Sequence, residues 1–74
     1  MRRTSSTALD RMPPGADLAT LRVWAEWRRQ LMPIDVLARR AGYPRSRVLG
    51  LLSGTRAIRD RDRVVADLAE VLGL

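Results

Sequence analysis

The residues of this 74-residue chain best equipped for chemistry are its arginines. All fourteen basic side chains are arginine; lysine, histidine and cysteine are absent, and eight acids leave a net charge of +6. A guanidinium stays protonated in proteins, so it is no general base and no nucleophile. Its planar fork of donors instead pairs bidentately with phosphate, or with the O6 and N7 edge of guanine. Between Val36 and Arg59 lie six arginines (39, 40, 45, 47, 56 and 59) and no carboxylate, while the rest of the chain holds eight arginines and eight acids. The entire excess therefore falls on one stretch. A solvated charged face, or a coding bias toward arginine, is the bland account. Yet such faces usually mix both signs, and self-repulsion in so small a domain costs stability unless an anionic partner relieves it. Nucleic acid is the leading partner of that kind.

The missing residue types exclude other chemistry. Without histidine, cysteine or lysine there is no imidazole or thiolate metal site, no disulfide, no His-assisted nucleophile and no Schiff base. The expectation is a protein that is no enzyme and takes no metal, cofactor or small-molecule ligand. No run approaches the ~20 apolar residues of a membrane span. Arg2 and Arg3 are followed by Thr4, Ser5, Ser6 and Thr7 rather than by the apolar core of a signal peptide. A cytoplasmic, nucleoid-associated protein without membrane contact is expected. A domain this short buries only ~60% of its unfolded surface, so helices or a dimer must supply stability.

Four short helices are expected to position the arginines. Residues 1–16, with two early arginines, a Thr/Ser run and Met12-Pro13-Pro14-Gly15, read as a flexible basic arm. Residues 17–74 form the domain. Asp17 caps a first helix over about 18–31, with Leu18, Leu21, Trp24, Ala25 and Leu31 as its apolar stripe. Pro33 opens a second, in which Ile34, Leu37, Ala38 and Ala41 recur at i, i+3, i+4 and i+7 until Gly42 stops it. A third begins near Pro44 and closes at Gly54, with Tyr43 and Val48 spaced as a hydrophobic staple. Asp60 or Asp62 caps the last, which carries Val64, Val65, Leu68, Ala69 and Leu72 and ends at Gly73. The second and third helices, over about 33–54, have the spacing of a helix-turn-helix.

On the third helix Val48, Leu51 and Leu52 share one arc, and Ser46, Gly50 and Ser53 lie opposite, flanked by Leu49, Arg45 and Arg47. That outward face is small. Gly50 costs ~1 kcal/mol against alanine in mid-helix, which a close approach would explain, by a DNA groove wall or by another helix. Arg45 and Arg47 fall in the first turn, where bidentate contacts to guanine are made, and Leu49 suits a thymine methyl.

Leu37-Ala38, Ala41-Gly42, Ser46, Val48, Leu51, Gly54, Ala69 and Leu72-Gly73 together resemble the helix-turn-helix repressors of the lambda repressor, Cro and Xre type, over about Leu21 to Leu74. The resemblance implies an all-α domain of four to five helices. By position it implies base reading by Arg45, Ser46, Arg47, Leu49 and Gly50 and backbone contacts by Ser53, Thr55 and Arg56. Arg39, Arg40 and Arg59 are further backbone candidates, and Arg2 and Arg3 are similar to the gripping arm of lambda-like repressors. Three departures stand out. Pro33 replaces the usual Ser/Thr cap of the second helix, Ile34 the glutamine that braces the first recognition residue, and Leu31 the glycine between the first two helices. No fifth, dimerising helix follows the fourth.

The functional expectation is a sequence-specific double-stranded DNA-binding transcriptional regulator, a repressor of phage or mobile-element type, bound as a homodimer to an inverted repeat. Val71, Leu72 and Leu74, or Trp27, are the candidate dimer surfaces. The alternative is a protein-interaction module, such as an antitoxin, anti-repressor or recombination accessory factor, presenting Trp27, Leu49 and the arginines to an acidic protein.

Overall fold

The computed structural model describes residues 12–55 and 58–74. They form an all-α domain of four helices: α1 (Leu18–Gln30), α2 (Ile34–Ala41), α3 (Arg45–Ser53) and α4 (Arg61–Leu72). No strand occurs among the described residues, and none of the helices is long and apolar enough to cross a membrane.

Local chemistry sets each boundary. Asp17 caps α1 by accepting the Thr20 backbone N–H at 2.9 Å and also meets Arg61 at 3.2 Å. These hydrogen bonds, chiefly those from Thr20, hold its carboxyl at a pKa of about 2. The α1 helix ends on Leu31, a non-glycine residue in the left-handed region at φ 55°. Gly42 closes α2 at φ 82°, and both its N–H and that of Tyr43 return to Ala38. This closure satisfies carbonyls that the helix end would otherwise orphan, in a conformation that costs glycine little. Pro33 and Pro44 precede α2 and α3 without side-chain caps. Asp60, itself left-handed at φ 58°, precedes α4.

The helices α1 and α4 run side by side and parallel. Their N-terminal ends are tied by Asp17 and Arg61, and their C-terminal ends by Gln30, whose amide donates to the Leu72 carbonyl at 2.9 Å. In turn α4 packs on α2, and α2 on α3. The core draws Leu37 and Ala38 from α2, Val48, Leu51 and Leu52 from α3, and Val64, Val65, Leu68 and Leu72 from α4, as the spacing predicts. From α1 it draws Val23 and Trp27 beside a buried Thr20, which corrects the expected stripe. Leu18 and Ala25 are exposed, as is Leu31 beyond the helix end, while Leu21 and Trp24 are half-buried. The segment Leu18 to Ala25 is apolar on more than one side, so its phase is set by the packing of α1 on α4 and not by spacing alone.

Trp27 and Leu72 therefore belong to the core and not to an outer dimer surface. Val71 is half-buried against that core, and of the four residues expected there only Leu74 is exposed. The boundary of the expected arm also moves. Residues 1–11, with Arg2 and Arg3, lie outside the described residues, but Pro13 is buried and its carbonyl accepts from Ala16 N–H. The packed domain thus reaches back to Pro13.

The ring of Pro14 rests on Gly54, the residue closing α3 at φ 70°. A Cβ on Gly54 would lie 2.5 Å from Pro14 Cδ. Gly54→Ala thus meets both a left-handed backbone, which costs an L-residue roughly 1–2 kcal/mol, and a rigid ring. We expect urea unfolding to show a loss of about 1–3 kcal/mol. A loss no greater than that of an exposed mid-helix substitution would mean that residues 12–16 do not pack on α3.

Candidate nucleic-acid interface

The arginine-rich stretch folds into the C-terminal turn of α2, the 42–44 connection, α3 and the segment after it. Arg39 and Arg40 occupy the last turn of α2, where cations also offset the helix dipole, and both are exposed. Arg59 is exposed at the far side of the segment after α3. None of these three forms an ion pair among the described residues. Elsewhere Arg29 pairs with Glu26 along α1 and Arg61 with Asp17, while Arg22 and Arg63 form no ion pair among the described residues. Arg39, Arg40 and Arg59 thus leave unneutralised charge around α3.

Arg45 and Ser46 form the exposed first turn of α3, whose proline cap contributes no side-chain acceptor. Arg45 does not stand free. Its Nε meets an Asp35 carboxylate oxygen at 2.6 Å, from the first turn of α2. A guanidinium that meets its acid through Nε leaves its terminal nitrogens free for a further partner, and the Arg45 side chain is 59% exposed. The charge count beginning at Val36 stops one residue short of this acid. What could have found Asp35 is its place, one residue after the position at which the resembling repressors carry a bracing glutamine.

Arg47 is engaged differently. Its guanidinium lies over the Tyr43 ring, 5.7 Å from the centroid, and its terminal nitrogen donates to the Arg59 carbonyl at 3.0 Å. Tyr43 in turn donates its hydroxyl to the Asp67 carboxylate of α4. That hydrogen bond, with burial and the Asp67 charge adding to it, raises the phenol above its usual pKa. A chain of contacts from Asp67 through Tyr43 and Arg47 to Arg59 thus fastens the end of the loop to α4 and the start of α3. Arg47, expected as a base reader, is half-buried and acts as a strut in this arrangement.

Leu49 is half-buried. Gly50 and Ser53, expected on the outer face, are buried. Of the two accounts of Gly50, close packing within the protein is the one that its burial supports. The Ser53 hydroxyl lies 3.4 Å from the Gly50 carbonyl and 2.7 Å from the Thr55 hydroxyl, so it closes the end of α3 and does not face outward. Thr55 is exposed; Arg56 lies outside the described residues. The outward surface thus contracts to Arg45, Ser46 and part of Leu49, ringed by Arg39, Arg40, Thr55 and Arg59. Compared with protein-family models, curated proteins and solved structures, the chain matches none.

Proposed function

We propose that this chain is a sequence-specific double-stranded DNA-binding regulator of transcription, a helix-turn-helix repressor of the lambda repressor, Cro and Xre type, of phage or mobile-element origin, acting as a homodimer on an inverted repeat. One observation carries the reading: Arg45 stands at the exposed start of α3 with its Nε held by Asp35. An exposed, braced guanidinium at a helix N-terminus suits guanine O6 and N7 in the major groove, and the unpaired Arg39, Arg40 and Arg59 suit the flanking phosphates. In this role α3 is the recognition helix. Asp35 supplies the brace that Ile34 does not.

The experiment is selection from random duplexes with the purified chain. We expect a palindromic consensus with half-site centres ~34 Å apart and a guanine at the Arg45 position. Arg45→Ala should cost about 1–3 kcal/mol, confined to that base pair. Asp35→Ala should lose the same discrimination while raising affinity for random duplex, because a negative charge leaves the phosphate-facing surface. Equal effects of either substitution on all sequences would exclude base reading by Arg45. The burial of Trp27 removes one of the residues that the protein-interaction alternative would present, beside Leu49 and the arginines.

A further inference from the structure

On the α1 and α4 side of the domain an open groove of about 390 Å³ runs between the two parallel helices. Small residues shape it, Ala19 on α1 and Ala66 and Ala69 on α4, so another backbone has room to approach closely. Its walls carry opposite charges. Arg22 stands on the α1 wall and Asp62 on the α4 wall, and neither has an ion-pair partner among the described residues. Two large apolar side chains stand exposed nearby: Leu74, which lines the groove and is 53% exposed, and Leu18, beside Ala19 and 72% exposed.

We infer that this groove is the surface on which two copies of the chain pair. A two-fold axis lying in the plane of the interface and parallel to the two helices lays each α1 over the α4 of the other copy. The basic wall of one then faces the acidic wall of the other, twice over, as an isologous interface requires. The same rotation runs the helices parallel across the interface, so Arg22 in the N-terminal half of one α1 lies toward Asp62 at the start of the other copy's α4. A polyanion would find no net charge here, one arginine being matched by one aspartate, whereas a second copy brings the complementary pattern by symmetry.

The surface also fits the proposed DNA reading, on which only the following spacing argument rests. From α3 through α2 to α4 are two packing steps of ~8–10 Å each, which places α3 within about 20 Å of the α4 face. Half the ~34 Å between adjacent major-groove turns is ~17 Å.

The test uses the full chain without DNA. Sedimentation velocity should show a concentration-dependent dimer. Ala66→Glu and Arg22→Asp should each weaken it at least about tenfold, with helix content unchanged and with the melting temperature unchanged at concentrations where the wild type is monomeric, because Ala66 and Arg22 are exposed. Arg22→Asp combined with Asp62→Arg should restore the dimer, since the walls exchange sign and remain complementary. A wild-type chain that stays monomeric up to about 1 mM would overturn the inference, as would a dimer indifferent to Ala66→Glu. Failure of the double exchange to rescue Arg22→Asp would do the same. Dimers that bind no duplex would refute the proposed function and leave the groove standing. Duplex binding without a dimer would do the reverse.

Discussion

Raising monovalent salt from roughly 50 to 200 mM is expected to weaken duplex binding by about 10³–10⁵-fold, the range for a protein making about 6–10 phosphate contacts. The estimate follows from the unneutralised charge. Arg39, Arg40 and Arg59 are exposed without an ion pair, and Arg45 is exposed beyond its contact with Asp35. A dimer would bring two such sets to the duplex. Each neutralised phosphate releases condensed counterions and contributes about −0.9 to the slope of log affinity against log salt, so the Arg39, Arg40 and Arg59 contacts of two protomers give an expected slope of about −5. Fluorescence anisotropy with a labelled duplex at four or five salt concentrations measures it. Arg39→Ala should reduce the slope by about 1 per protomer and leave the preferred sequence unaltered, which separates phosphate contact from base reading. A slope shallower than about −2 would be incompatible with the arginine cluster as a DNA-backbone surface.

Leu37→Ala should be the most damaging single truncation, at about 2–5 kcal/mol. Leu37 is 0% exposed in α2, the helix that packs on both α3 and α4. Replacing its isobutyl side chain by a methyl opens a void in the core at the helix that packs on both α3 and α4. Total stability for a chain of this length is about 4–11 kcal/mol, so the variant approaches the unfolding threshold. At about 4–8 °C per kcal/mol, the melting temperature should fall by roughly 8–40 °C. Duplex binding should weaken only by the fraction unfolded and recover at saturating duplex, because a ligand that binds the folded state pulls the equilibrium back. Loss of base preference in the folded fraction would instead mean that Leu37 sets the pose of α3 as well as its stability.

The parts legible in the sequence are those governed by neighbours within one or two turns. Ile34, Leu37, Ala38 and Ala41 give the phase of α2 by spacing alone, Gly42 gives its stop, and Asp17 its neighbour's start. The α1 stripe fails for the opposite reason: a helix apolar on several sides leaves the choice to its tertiary partner, which selects Thr20, Val23 and Trp27. Gly50 and Ser53 look alike in sequence whether they face a groove or the protein. Their burial arises from the fold around α3, where residues as distant as Pro13 and Pro14 return to pack. Asp35 and Arg45 lie on different helices, so neither periodicity nor a local charge count brings them together. The concentration of arginine around α3 was visible at once; the division of labour among Arg45, Arg47 and their neighbours needed three dimensions.

The contact of Pro14 with Gly54 has a practical corollary for anyone labelling this molecule. Because Pro14 rests against the end of α3, a fluorophore attached at the exposed Met12 lies toward the C-terminal end of that helix. There it would obstruct a duplex or, used deliberately, report its arrival. A label following Leu74 emerges instead at the α1 and α4 groove and would sense a second copy. The two positions thus offer separate vantage points, one on each of the contacts put forward for this protein.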